Sequence, residues 1–305
     1  MNMTQDDMDY SVTQQSHQGG RDYNEDRTAI FEKDGTILLV LGDGLGGHAG
    51  GEVASQALID AMGDSFDKAT EQQLNDPGTF LTLSINFAHH TVHRRAVSQG
   101  LSVDSPKTTC VACLIRNGVA VWAHSGDSRL YIINKRTINH VTEDHVTIKP
   151  GREHNSPINR CVGGLESPKP EVSEPYELEE GDIIFIGSDG AWANFTPDDL
   201  IEYVDPEYPT LGLDNLLQRL EGRNKAPSDN LSIVLLYWGI KQLDSPDIND
   251  HQEMSSIRLI DDKASKQDEP DSKEENKEIP RFDMKELDSA ILEIESFISD
   301  IDSKL

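Results

Sequence analysis

Ile37-Leu38-Leu39-Val40-Leu41-Gly42-Asp43-Gly44-Leu45-Gly46-Gly47-His48 is an apolar run that ends in a glycine-rich turn with one aspartate inside it. Formally, Gly42-x-Gly44-x-x-Gly47 matches the dinucleotide-binding fingerprint, with a helical stretch after it and Asp60 and Asp64 downstream. Two features set that reading aside. Asp43 would place a carboxylate beside the pyrophosphate that such a turn exists to approach, and the following segments lack the regular βαβ order of a Rossmann fold. The other reading is a strand lip that holds a carboxylate against a cation. An ionised carboxylate at the end of a buried strand is unfavourable unless positive charge sits on it.

The chain has two more such lips. Gly187-Ser188-Asp189-Gly190 follows the apolar Ile183–Ile186, and Ser228-Asp229-Asn230 precedes Leu231–Tyr237. Brought together by folding, the three would form an all-oxygen site suited to Mg²⁺ or Mn²⁺. Gly44, Gly46 and Gly47 then make a turn that exposes a backbone carbonyl and leaves room for a phosphate. Asp43 can bridge two ions while Asp189 and Asp229 complete either side. Two such cations about 4 Å apart would share a water and ready it for attack at phosphorus. Upstream, Arg21-x-x-Asn24-Glu25-Asp26 adds a planar guanidinium fork for phosphate oxygens. Glu25 and Asp26 can hold waters in an outer shell, with Asn230 beside them. His48, the nearest titratable group to the first turn, can protonate a leaving alkoxide.

Outward from these lips, β-type runs alternate irregularly with helical stretches from about Ser11 to Ile240. Strands are expected at Arg27–Phe31, Thr36–Leu41, Thr108–Ile115, Val119–His124, Leu130–Ile133, Asp182–Gly187 and Leu231–Tyr237. Asn117-Gly118 is a hairpin signal, so the strands it joins are antiparallel. Helical stretches fall in pairs, Gly51–Met62 with Thr79–Gln99 and Pro197–Val204 with Leu211–Leu220, which suggests sheets with helices on the outside. Residues 1–10 read as a loose leader and 11–240 as the folded domain. Residues 241–282 read as a disordered acidic linker, poor in apolar anchors. In 283–305, Leu287, Ile291, Ile294, Ile298, Ile301 and Leu305 follow a 4-3-4-3-4 spacing, one apolar stripe of a helix. That helix can dock on its own domain, self-associate or enter a partner's groove; partner binding is the expectation.

Composition narrows the classes. With 27 basic against 55 acidic residues the formal charge is −28, which disfavours nucleic acid or an anionic membrane as partner. No run approaches the ~20 apolar residues of a membrane span, and Met1–Tyr10 lacks a signal-like apolar segment. Three cysteines in 305 residues fit a reducing, cytoplasmic setting. Cys110 and Cys113 lie on an expected strand, where positions three apart face opposite sides, so they read as core residues and not as a metal half-site. His89 and His93, four apart on an expected helix, lack an evident third ligand and read as an exposed polar face.

The motifs then resemble a family. Arg21-Asp22-Tyr23-Asn24-Glu25-Asp26, the Gly42–His48 turn, Gly126-Asp127-Ser128-Arg129, Thr142-Glu143-Asp144-His145, Ser188-Asp189-Gly190 and Ser228-Asp229-Asn230 occur in the order seen in PP2C-type metal-dependent protein serine/threonine phosphatases, the bacterial branch in particular. The resemblance implies an α+β fold, an α-β-β-α sandwich of two antiparallel sheets flanked by helices. It implies hydrolysis of phosphoserine and phosphothreonine in proteins with two Mn²⁺ or Mg²⁺ ions and a weaker third. By the same resemblance Asp43 is the bridging ligand, the Gly44 carbonyl, Asp189 and Asp229 are further ligands, Asp127 shares the third ion with Asp189, and Arg21 grips the phosphate. The chain departs from bacterial relatives in a shortened flap, His145–Pro157, which carries Lys149, Arg152 and His154. A pseudophosphatase that binds phosphoproteins or partners through its tail is the alternative, and the intact ligand set speaks against it.

Overall fold

The computed structural model describes residues 10–45, 49–102, 105–147, 157–204, 213–214, 216–218 and 229–239. The chain runs through β1 (Tyr10–His17), β2 (Arg27–Lys33), β3 (Thr36–Gly42), β4 (Gly44–Leu45), α1 (Ala49–Lys68), α2 (Glu71–Leu74) and α3 (Pro77–Ser98). It continues through β5 (Lys107–Thr108), β6 (Cys110–Arg116), β7 (Val119–Ser125), β8 (Arg129–Asn134), β9 (Thr137–Val141), β10 (Glu171–Val172) and β11 (Tyr176–Glu177). Last come β12 (Ile183–Gly187), α4 (Asp189–Trp192), α5 (Pro197–Tyr203) and β13 (Leu231–Trp238).

One sheet has the order β1-β13-β12-β8-β9 and the other β10-β7-β6-β3-β2, with β11 also on β7. Every described pair of named strands is antiparallel, which disposes of the dinucleotide fold. The hairpin between β6 and β7 turns through Asn117 and Gly118 at φ 52° and 75°, the two positive φ values that an Asn-Gly turn supplies.

Side-chain alternation on β3 shows how the layers stack. Leu38 and Val40 point into a core with Leu58 and Met62 of α1 and Leu81 and Ile85 of α3. Ile37, Leu39 and Leu41 point the other way, onto Ile132, Ile184, Ile186, Val234 and Leu236 of the second sheet. A third core joins Ile183, Phe185, Ile233 and Leu235 to Leu200, Leu213, Leu216 and Leu217. The result is the expected α-β-β-α sandwich. Strands buried on both faces read as continuous apolar runs, which is why β3, β12 and β13 were legible. Cys110 belongs to the first core and Cys113 to the second, as opposite-facing strand positions require.

Some expectations move. Tyr10, expected outside the folded domain, opens β1, a strand whose polar sequence, YSVTQQSH, carries no apolar run. α1 runs past Gly63 to Lys68 because the bare glycine accepts the Phe31 ring, which an added Cβ would meet at 2.8 Å. His89 and His93 do not form an exposed face. His89 is buried and its Nδ1 accepts the Gly163 N–H, while His93 Nε2 lies 3.0 Å from the carbonyls of Gly163 and Gly164. The pair holds a loop. The linker, the terminal stripe from Leu287 to Leu305, His48 and most of the shortened flap lie outside the described residues.

Candidate metal centre

At the end of β3 the backbone of Asp43 is fastened on both sides. Its N–H donates to Thr109 Oγ1 at 3.0 Å, and its carbonyl accepts from the Thr109 N–H at 2.8 Å and from Thr108 Oγ1 at 3.0 Å. Gly44 pairs with Thr108 and presses against α1: an added Cβ would lie 2.6 Å from the Gly51 carbonyl and 2.7 Å from the Glu25 carbonyl oxygen. Only glycine allows this approach. Glu25 is tied into the same corner, since its carbonyl accepts from Ser55 Oγ at 2.5 Å and its N–H donates to Asn230 Oδ1 at 2.9 Å.

Asn230 does more than the sequence suggested. Its Nδ2 donates to the carbonyls of Gln18 and Tyr23 at 2.7 and 2.9 Å, so one buried amide gathers the loop that carries Arg21. Asp229, next to it, accepts from Arg21 at 2.5 Å across 208 residues of chain. On the opposite side, Asp189 opens α4 directly after β12. There a Cβ on Gly190 would fall 2.0 Å from the Asn230 carbonyl oxygen, so the second and third lips touch through bare backbone. Asp127 follows Gly126, whose φ of +121° and close approach to Thr109 again exclude a side chain.

The electrostatics are those of a crowd of like charges. Burial raises the Asp43 carboxyl well above the usual range, and Asp26, Asp189, Asp127 and Asp229 raise it further. Burial, then Asp189 and Asp144, push Asp127 up to about 7. Asp189 is raised by burial and by Asp229, with a hydrogen bond from Asp43 and the charge of Arg21 opposing. Asp26 rises to about 6, mainly through burial. It is 1% exposed, and neither carboxylate oxygen has a hydrogen-bond partner of ordinary geometry. The Ser188 and Ser232 hydroxyls are near enough to pull its pKa back, without closing such a bond. Arg21 is exposed and reaches Asp229 alone among these carboxylates.

This arrangement fits divalent cations. The donors are hard oxygens, Asp26 carries orphaned buried acceptors, and Gly44 leaves a cradle that any side chain would fill. Among the described residues no three His, Cys, Asp or Glu side chains stand close enough to hold one ion directly. Cations here would therefore take paired aspartates, backbone carbonyl and water, the usual manner for magnesium. Asp43, Gly44, Asp127, Asp189 and Asp229 come to one corner with Arg21, Glu25, Asp26 and Asn230 around them. The supports of that corner, Thr109, Ser128 and Trp192, were not anticipated. Thr109 lay inside the expected strand Thr108–Ile115, and Ser128 inside a quoted motif, but long-range hydrogen bonds leave no periodic trace.

Comparison with known proteins bears on the family and the fold. Residues 13–222 match the family model described as protein phosphatase 2C. The serine/threonine phosphatase stp of Listeria welshimeri is 32% identical over 127 residues, 41% of this chain and 50% of that protein. The chain thus spans about half the length of that curated relative. The solved serine/threonine phosphatase of S. agalactiae has TM-score 0.66 at 23% identity, over 75% of this chain and 99% of its own. The catalytic domain of the serine/threonine phosphatase PstP, solved in complex with two manganese ions, has TM-score 0.62 at 24% identity, over 76% of this chain and 99% of its own. At such identities the two structures speak for the fold.

Proposed function

The chain belongs to the protein phosphatase 2C family, and we propose that it is a metal-dependent phosphatase of phosphoserine and phosphothreonine in proteins. The observation that carries the proposal is the convergence of Asp26, Asp43, Asp127, Asp189 and Asp229, each of the first four with a raised carboxyl pKa, beside Arg21. So many wholly or partly buried carboxylates resist ionisation in one place unless cations join them. Asp43, the Gly44 carbonyl, Asp189 and Asp229 would hold two Mn²⁺ or Mg²⁺ ions, and Asp127 with Asp189 a weaker third. When bound, such ions lower the pKa of a shared water and neutralise phosphoryl charge. The manganese pair in PstP supports the same cofactor here.

The chain's own residues then have distinct tasks. Thr108 and Thr109 hold the Asp43 backbone. Asn230 holds the loop of Arg21. Arg21 pairs with Asp229; with a cation held by Asp229 that pair would loosen, and the guanidinium could then grip two phosphate oxygens. Asp26, buried beside the Ser188 and Ser232 hydroxyls, would add negative charge behind the ions. His48 is proposed to protonate the leaving serine or threonine oxygen. Residues 283–305 are proposed to bind a partner, with Leu287, Ile291, Ile294, Ile298 and Ile301 as the contact stripe. The unpaired Cys110, Cys113 and Cys161 support a reducing, cytoplasmic site of action. No helix among the described residues is long and apolar enough to cross a membrane.

Purified full chain should release phosphate from a phosphothreonine peptide only when Mn²⁺ or Mg²⁺ is added, and Asp43→Asn and Asp189→Asn should each abolish it. Folded protein that turns over nothing across a range of metals would refute the proposal and favour a binding role. Cutting the chain at Lys241 should leave turnover of small phosphoesters nearly intact and remove partner capture. Unchanged capture after the cut would refute the tail assignment.

A further inference from the structure

Asp127 sits on the turn between β7 and β8, and that turn is fastened towards two of the three lips, those of Asp43 and Asp189. Ser128 Oγ lies 2.7 Å from Thr109 Oγ1, the same hydroxyl that receives the Asp43 N–H. On the far side, Trp192 ends α4, three residues after Asp189, and its indole N–H donates to the Asp127 carbonyl at 2.8 Å. The indole is itself clamped. The Arg129 guanidinium lies 3.4 Å from the ring centroid, and Asp144 holds that guanidinium through two bonds of 2.8 Å. One planar stack therefore spans the helix of Asp189 and the turn of Asp127.

We propose that Trp192 is a positioning residue that sets how far the Asp127 carboxylate stands from Asp189, and so tunes the weaker cation position between them. It touches neither substrate nor ion. The inference rests on the metal reading above and adds a residue to it. A tryptophan that merely fills the core would act differently: its loss would lower stability and weaken every cation step alike. A tether on one turn weakens only the step that uses Asp127. A neutral hydrogen bond of this kind corresponds to roughly a five- to tenfold change in that step, about 1 to 1.4 kcal/mol.

The test is a Mn²⁺ titration of the full chain, followed by calorimetry and tryptophan emission together. Trp122 and Trp238, the other two tryptophans, lie in the core between the sheets and provide a constant background. Wild-type protein should bind in a tight step and a weaker one, with emission changing in the weaker step. Trp192→Phe should keep the tight step, bind roughly five- to tenfold more weakly in the other, and lose the emission change. Arg129→Lys keeps the indole but removes the planar clamp, and should weaken the same step with emission retained; it decides the matter if Trp192→Phe fails to fold. Equal weakening of both steps, or an unmoved weaker step, overturns the inference alone. Absence of any binding to folded wild-type protein overturns the metal reading with it.

Discussion

Replacing Asp26 by asparagine should stabilise the metal-free protein, although the residue belongs to the candidate centre. Asp26 is 1% exposed, and the Ser188 and Ser232 hydroxyls approach its carboxylate without closing a bond of ordinary geometry, so the amide forfeits little. Its pKa rises from 3.8 to about 6 on folding. The folded state therefore keeps this proton up to about pH 6, whereas the unfolded chain releases it near pH 4. Stability from this group is fully present below the unfolded value and is lost as pH climbs through the folded one. About two pKa units correspond to about 3 kcal/mol. For a domain of this size that is a gain of about 6–12 °C in Tm. Scanning calorimetry of wild type and Asp26→Asn in EDTA should show the gain in full at pH 7.5 and little of it at pH 4. Saturating Mn²⁺ should shrink it at pH 7.5, because the cations then offset the wild-type charge. A lower Tm for the variant in EDTA at pH 7.5, or a difference that ignores pH, would refute the reasoning.

Gly44→Ala should lower stability by about 1–3 kcal/mol, since its Cβ meets the backbone of Gly51 and Glu25 at 2.6–2.7 Å and neither can yield as a side-chain tip does; thermal unfolding measures this. Asn230→Ala leaves the Glu25 N–H and two loop carbonyls without their amide. A loss of roughly 2–4 kcal/mol is expected, and KM for a phosphopeptide should rise as Arg21 loses its anchored loop. Arg21→Ala should raise KM at least about tenfold, as expected for a lost charge-assisted phosphate contact. Its Mn²⁺ affinity should hold or increase, because Asp229 is released from an exposed ion pair worth little by itself. Calorimetry that finds weaker Mn²⁺ binding in this variant would contradict the competition between Arg21 and cation for Asp229.

The sandwich was legible because its central strands are buried on both faces. Ile37–Leu41, Ile183–Ile186 and Leu231–Tyr237 have no polar alternation to blur them, and each runs to an aspartate at its lip. The edges were not legible. β1 is mostly polar, and its eight-residue register with β13 comes from pairing with a strand more than two hundred positions away. Gly63 looks like a helix end until the Phe31 ring is seen beneath it. His89 and His93 read as surface because helical period alone does not show which loop covers them. The proposed ligand residues of the candidate centre stood out by residue type and motif, while Asp26 gained its importance from burial, which only the fold reveals. Trp192, Thr109 and Ser128 act through hydrogen bonds that join distant turns, and such bonds have no signature along the chain.

Anomalous scattering at the manganese edge, from crystals of the full chain soaked in Mn²⁺, tests the central claim most directly. Two strong peaks among Asp43, Asp189 and Asp229, with a weaker one towards Asp127, are the predicted result. An ordered corner in which these carboxylates carry no peak at millimolar manganese would contradict it.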